Sequence, residues 1–383
     1  MYRQLWIDID LGALRRNLDR IKHIVGKKTK IMATVKQEAY GHGLVCIAKE
    51  FALKGVDFFG VGSLEEAITL RKEGIKQPIL VLTAVMPQFV EEFIRYRITP
   101  LVVDINFASR LNRCAKAKNI RLPVHIKVDT GMGRIGPWYK EIIKFVDSLK
   151  ILRNIFIEGL ATHFSSADVD RHFTKYQIDI FNQLICQLKN KGIEFKYIHC
   201  ANSCGIVNYP QSHFNLVRPG ILLYGIKPSA NLKINVEPVL SLKSRVVFIK
   251  RVGKGRSISY GRTFIASKSC YIATVSVGYA DGYPWALSNR GKVIVSNRLF
   301  DVVGRVCMDH IMVNLKDTSS VKVGDEVILI GRKKDLEVNV ENIAKWAGTI
   351  PYEIVTNLSL KIPRFYKNSL HKKNTSYAYN GKS

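Results

Sequence analysis

No stretch of the sequence is apolar for long enough to cross a membrane as a helix, which takes roughly 20 such residues. Paired cysteine spacing is missing as well. The seven cysteines, at 46, 114, 186, 200, 204, 270 and 307, form no CxxC pair, and the interval between Cys200 and Cys204 does not suit a zinc knuckle. Reduced thiols and no bound metal are therefore expected. Asp8 and Asp10 stand where a secretion leader would carry its apolar core, so a cytoplasmic protein is expected. Acids are the scarce charge, with 31 Asp and Glu against 59 Lys and Arg and a formal net charge of +28. Such an excess raises the possibility of nucleic-acid binding, which salt-dependent retention on DNA would detect. The basic residues, however, are spread along the whole chain, with no arginine-rich arm and no nucleic-acid motif. Neither nucleic acid nor membrane is expected as a partner, while anionic small ligands gain a modest attraction.

What is present suits a large globular enzyme. The 383 residues, 47% hydrophobic, exceed one ordinary domain. Asp10 reads as a helix cap, followed by the stripe Leu11, Leu14, Leu18, Ile21 and Val25 and the stop at Gly26. Eight apolar runs then alternate with helical patterns: 31–35, 58–61, 79–82, 101–103, 124–128, 157–161, 197–201 and 216–224. Ser63 to Glu66 reads as a capping box opening a helix closed by Gly74. Phe173, Tyr176, Ile180, Leu184 and Leu188 form a long stripe ended by Gly192. This alternation predicts an α/β fold, an N-terminal (β/α)8 TIM-like barrel. A doubly wound open sheet is the alternative on pattern alone. Beyond Pro238 the pattern becomes strand-rich, with runs at 246–249, 271–277, 292–295, 302–313 and 327–330 and a helix near 340–346, predicting a mostly antiparallel β domain. The expected division is 1–236 barrel, 237–367 β-rich domain, and 368–383 a basic, disordered tail.

The candidate chemistry begins at residues 32–44, where a short apolar strand ends in Lys36 and Gly41-His42-Gly43 turns the chain into a helix. A lysine at a buried strand end loses its proton more easily than a solvated one, as a nucleophilic amine requires. On its own Lys36 would be read as a surface lysine. Yet the barrel would place Lys36, Asp129, Arg134, His163, Asn202, Ser203 and Arg218 together at the C-terminal ends of its strands, where barrel active sites lie. That coincidence favours the barrel over the open sheet.

The run Val35-Lys36-Gln-Glu-Ala-Tyr40-Gly-His-Gly43 resembles the cofactor-lysine signature of the alanine racemases, with Gln37 and Glu38 where members usually have Ala-Asp. The resemblance extends to Lys127-Val-Asp-Thr-Gly-Met-Gly-Arg134, His163-Phe, His199-Cys-Ala-Asn-Ser203 and Arg218-Pro-Gly-Ile221. It continues through Ile258-Ser-Tyr260-Gly-Arg-Thr-Phe264, Gly278-Tyr279 to Pro284, Gly304 to Asp309 with Met308, and Ile350-Pro-Tyr352. It implies a homodimer with shared sites that uses pyridoxal 5'-phosphate to interconvert L- and D-alanine, supplying D-alanine for peptidoglycan. Lys36 would carry the cofactor and act as one base, and Tyr260 from the other subunit would be the second. Tyr40, Ser203, the Gly220 and Ile221 amides and Tyr352 would hold the phosphate. Asn202 and His163 would border the cofactor, with His163 and Arg218 in a hydrogen-bond chain that lowers the pKa of Tyr260. Arg218 would face the pyridine nitrogen, Arg134 the substrate carboxylate, and Met308 and Tyr279 the substrate and its entrance.

For Lys127 the resemblance implies carbamylation; an ordinary salt bridge is the plain alternative. Trp285, where many relatives carry arginine, alters the implied entry corridor. Three other functions fit parts of the sequence. A broad-specificity racemase differs only in pocket size. A barrel decarboxylase would carry glutamate at 218. A non-catalytic pyridoxal-phosphate-binding barrel would lack the second domain.

Overall fold

A computed structural model of the chain describes residues 4–370. The tail expected from residue 368 therefore falls almost wholly outside the described residues. The chain opens with β1 (Leu5–Asp10), and the Asp10 carboxylate then caps helix Leu11–Val25 by accepting from the Gly12 and Ala13 amides. The predicted stripe Leu11, Leu14, Leu18, Ile21 and Val25 is buried. Eight parallel strands follow: β2 (Lys30–Thr34), β3 (Phe58–Val61), β4 (Ile79–Val81), β5 (Leu101–Val102), β6 (Leu122–Lys127), β7 (Ile155–Ala161), β8 (Tyr197–His199) and β9 (Leu216–Val217). They pair as β4-β3-β2-β9 and β5-β6-β7-β8. One seam is bridged by Leu80 with Thr99, the other by the Arg218 amide on the Ala201 carbonyl at 2.9 Å. The eight apolar runs are thus the eight staves of a barrel, although the last shortens to two residues before a tight 3-10 turn at Ile221–Tyr224.

Several local expectations change. The Ser63 hydroxyl accepts from the Glu66 amide, but the Glu66 carboxylate does not return to Ser63. It accepts instead from the amides of Gly62 (2.8 Å) and Glu38 (3.2 Å), because those donors lie open beside the turn after β2. That turn, Gln37 to Tyr40, is left-handed throughout, with φ of 52° to 54° at four successive non-glycine residues. Side chains disfavour this conformation by roughly 1–2 kcal/mol per residue, so tertiary contacts hold it. In helix Arg171–Asn190 the inner face is Thr174, Gln177, Ile178, Ile180, Phe181, Leu184 and Leu188, so Ile180, Leu184 and Leu188 of the predicted stripe are buried whereas Tyr176 is exposed. In the first half of the helix the inner positions are Thr174 and Gln177, the latter donating to the Thr130 hydroxyl and the His163 carbonyl.

The remaining strands are β10 (Leu240–Val252), the small hairpin β11 (Ser257–Ile258) and β12 (Phe264–Ile265), β13 (Cys270–Val275), β14 (Lys292–Val295), β15 (Arg298–Val302), β16 (Ile311–Lys316), β17 (Glu326–Lys333), β18 (Leu336–Val338) and β19 (Arg364–Lys367). Nine strands form one sheet in the order β18-β17-β14-β15-β16-β13-β10-β1-β19, and β17 also pairs with β10, curling it closed. Of its strand pairs only β1 with β19 is parallel. The predicted run 302–313 divides, because Val302 and Val313 pair antiparallel and the chain must fold back between them. That turn is closed by the Cys307 amide on the His310 carbonyl. β1 belongs to this second sheet, so the chain's first described strand lies against the last.

Candidate active site

A pocket of about 340 Å³ opens at the C-terminal ends of the barrel strands. Its lining contains Lys36, Tyr40, Lys127, Arg134, His163, Asn202, Ser203, Arg218, Gly220, Ile221 and Tyr352, eleven residues singled out from sequence. β2 ends at Thr34, so Lys36 lies two residues past the strand rather than on it. Burial lowers the pKa of its amine, helped by the Arg134 and Arg218 cations and opposed by the Glu66 carboxylate. A neutral, nucleophilic amine is thereby brought closer to physiological pH.

Arg218 is the most constrained group in the pocket. Nη1 donates to the His199 carbonyl (2.8 Å) and to His199 Nδ1 (2.7 Å). Nη2 donates to the carbonyls of Thr162 (2.8 Å) and Cys200 (3.1 Å) and to His163 Nδ1 (3.1 Å). Burial draws its pKa down to about 10, which leaves it a cation at neutral pH. With both terminal nitrogens engaged, Nε–H has no protein acceptor among the described residues. His163 is held neutral by its burial and by the surrounding cations, Arg218 first among them.

In the same pocket, the Ser203 hydroxyl accepts from the Gly220 amide at 3.1 Å. A Cβ at Gly220 would lie 2.5 Å from the Tyr40 hydroxyl, so only glycine lets that phenol approach this backbone. Tyr352 packs beside Tyr40, with ring centroids 6.2 Å apart. The Asn202 side chain caps the short helix Ser203–Asn208 by accepting from the Gly205 amide. Hydroxyls and backbone amides thus converge within a cationic pocket, a donor set matched to a phosphate.

Lys127 is only 5% exposed, and its Nζ has no hydrogen-bond partner among the described residues. No carboxylate forms a salt bridge with it among the described residues, which removes the plain alternative. Burial, together with Arg218 and Arg134, pushes its pKa far down against the pull of Asp129. Asp129 itself is occupied by backbone amides of its own loop, those of Gly131 and Met132 at 2.8 Å and Arg134 at 3.1 Å. It shapes the turn that carries Arg134 into the pocket.

Tyr260, Tyr279 and Met308 do not line this pocket. Tyr260 is 70% exposed on the turn between β11 and β12. Tyr279 and Met308 are exposed on neighbouring loops, joined where the Tyr279 and Ala280 amides donate to the Cys307 and Met308 carbonyls. Sequence reasoning assigned no role in the site to Glu66, Thr162 or His199. A signal was available for His199, inside a matched block and two residues before Ala201. Nothing local marks Glu66, whose role arises from contacts 28 residues distant.

The family model for the alanine racemase N-terminal domain matches residues 9–228, and that for the alanine racemase C-terminal domain matches 239–366. An alanine racemase of Halothermothrix orenii is 44% identical, covering 96% of this chain and 98% of the relative. One from Carboxydothermus hydrogenoformans is 41% identical over 95% of this chain and 100% of its own length. Among solved structures, an alanine racemase of Clostridium difficile 630 superposes with a TM-score of 0.91 at 38% identity, covering 96% of each chain. The Bacillus anthracis alanine racemase with bound L-Ala-P superposes at 0.89 with 35% identity, covering 96% of this chain and 95% of its own.

Proposed function

Since the chain belongs to the alanine racemase family, we propose a reading of its site that starts from the family's reaction. The protein is an isomerase that interconverts L- and D-alanine, and supply of D-alanine for peptidoglycan is the usual role of that activity. The family depends on pyridoxal 5'-phosphate. The observation that carries the reading for this chain is the pairing of a half-buried Lys36, its pKa lowered, with a phosphate-suited donor set in one pocket. When bound there, the cofactor would withdraw electrons from the substrate's α-carbon and so acidify its hydrogen.

The chain's own residues supply the rest. Lys36 anchors the cofactor through Nζ and then holds and returns a proton on one face of the α-carbon. Tyr40, Ser203, Tyr352 and the amides of Gly220 and Ile221 bind the phosphate, and Asn202 and His163 border the ring. Arg218 orients the ring nitrogen with a donor that stays protonated. It offers a hydrogen bond without giving up its proton, which limits electron withdrawal and favours return of the proton to the α-carbon. Arg134 binds the substrate carboxylate with its planar fork. Lys127, neutral and unpaired, is suited to carbamylation, which would place an anion between Arg134 and Arg218. Racemisation needs a second proton carrier on the opposite face, since one base returning its own proton would retain configuration. Tyr260 of a second copy takes that part, with Tyr279 and Met308 narrowing the entrance. A homodimer follows, as does a barrel ending near residue 236. The chain has no described helix long and apolar enough to cross a membrane, and we assign it to the cytoplasm.

The test follows the circular dichroism of L-alanine with cofactor-loaded protein, with L-serine and L-lysine in parallel. Decay to zero for alanine alone is expected. Equal decay for serine or lysine would transfer the reading to a broad-specificity racemase. No decay with cofactor bound would overturn catalysis in favour of a pyridoxal-phosphate-binding barrel.

A further inference from the structure

A line of polar side chains runs behind Arg218 into the barrel, where the neighbouring interior residues include Met32, Phe58, Leu80, Leu101 and Leu216. His199 on β8 lies with Nε2 2.9 Å from Nδ1 of His125 on β6. His125 Nε2 in turn faces Glu158 of β7, with Oε2 at 3.8 Å and no closer partner. The other oxygen of Glu158 meets Lys196 Nζ at 3.0 Å near the surface. Both rings are fully buried. Room for them is made by a missing side chain: a Cβ at Gly159 would lie 2.6 Å from His125 Nδ1.

The chemistry at one end of this line dictates its direction. A guanidinium can only donate, so His199 Nδ1, 2.7 Å from Arg218 Nη1, must be the unprotonated nitrogen. A neutral imidazole then carries its proton on Nε2 and must donate it to His125 Nδ1. His125 in turn carries its proton on Nε2, facing a carboxylate. Burial keeps both rings neutral, so each has one proton to place. With both rings in the opposite tautomer, His199 would aim an N–H at the Arg218 N–H, two donors in contact inside a low-dielectric core.

We propose that His125 and Glu158 are positioning residues for Arg218, which they act on through His199 by fixing the direction of every hydrogen bond in this line. The proposal rests on Arg218 facing the cofactor ring. Arg218 fixes the His199 tautomer, His125 Nδ1 accepts the His199 Nε2–H, and the Glu158 carboxylate faces the His125 Nε2–H, so that His199 holds the guanidinium in one plane with its Nε–H unpaired by protein among the described residues. An apolar residue at 125 would fill the barrel but leave the buried His199 Nε2–H without an acceptor.

The experiment is nitrogen NMR of the loaded enzyme with labelled histidines, the two signals being identified by His125→Phe and His199→Asn. Both rings should show protonated Nε2 and unprotonated Nδ1. A protonated Nδ1 on either would overturn the line, whatever the activity. Glu158→Gln preserves shape near the surface and tests the far end should His125→Phe fail to fold. It should change the His125 signals and lower kcat about fivefold or more with KM within about twofold, the size expected when a buried N–H loses the carboxylate charge it faces. Unchanged signals and unchanged kcat would refute positioning by Glu158. A loaded protein with the stated tautomers that does not racemise alanine would leave the line standing and overturn the function instead.

Discussion

The barrel mouth and the tyrosine face of the second domain are built on opposite principles. At the barrel mouth Arg218 is buried and held through both terminal nitrogens, and Lys36, Arg218 and His163 are displaced from their ordinary pKa values by burial and by each other. Tyr260, Tyr279 and Met308 stand exposed on loops of a separate sheet, outside the lining of the barrel pocket. The barrel mouth forms its pocket within a single chain, whereas Tyr260, Tyr279 and Met308 lie outside it. Tyr260 leaves a large aromatic side chain 70% exposed, a residue type in which protein interfaces are enriched.

The largest effect should come from the barrel mouth. Lys36→Ala should lower racemisation by roughly 10⁴-fold or more and abolish borohydride fixation of the cofactor to the chain, since it removes both anchor and proton carrier. Fixation that persists elsewhere would break the comparison at its root. Tyr260→Phe should cost roughly 10²-fold or more with L-alanine as substrate and much less with D-alanine, because it serves only one face. Equal losses in both directions would deny it that part. Mixing Lys36→Ala and Tyr260→Phe proteins under verified subunit exchange should restore part of the activity, since one composite site becomes whole; no recovery would mean that the two halves do not meet across chains.

A smaller effect is expected from Arg134→Lys, which loses the planar fork and should raise KM for alanine by about tenfold while the cofactor stays bound. Arg134→Met should in addition raise the pH at which Lys36 becomes reactive, because Arg134 is one of the cations that lower its pKa. A fall in that pH, seen in the rate of cofactor uptake, would reverse the assigned sign. The mildest contrast concerns acid. His42, His125, His163 and His199, all in the barrel, have pKa values pushed below the ordinary 6.5 by burial, so the folded protein binds fewer protons than the unfolded one. Stability is complete above that value and drains as pH falls below it. Thermal melts should show the barrel weakening between about pH 6.5 and 4, and a flat profile there would show that the rings are not buried neutral.

Much of this was legible in order along the chain. The eight apolar runs became eight staves because a strand buried on both faces must be apolar almost throughout, and Asp10 capped its helix because that interaction spans only three residues. Glu66 read as half of a capping box and instead serves the turn after β2, since a carboxylate takes whichever amides lie open beside it. Gln37 to Tyr40 carries no local mark of its left-handed path. Four ordinary side chains are forced into it by the strand before and the helix after.

By itself the sequence determined the barrel and the strand-rich second domain, because periodicity is a local property, and the family resemblance of its motifs marked which lysine, arginines, histidine and tyrosines are candidates for the chemistry. Only the tertiary structure decided that Arg218 is held by two imidazoles and three carbonyls, that Lys127 forms no salt bridge among the described residues, and that Tyr260 stands outside the barrel pocket of its own chain. Those are matters of distance between residues tens to hundreds of positions apart. Burial and hydrogen-bond direction are set by what surrounds a group in space, and no window along the chain contains those surroundings.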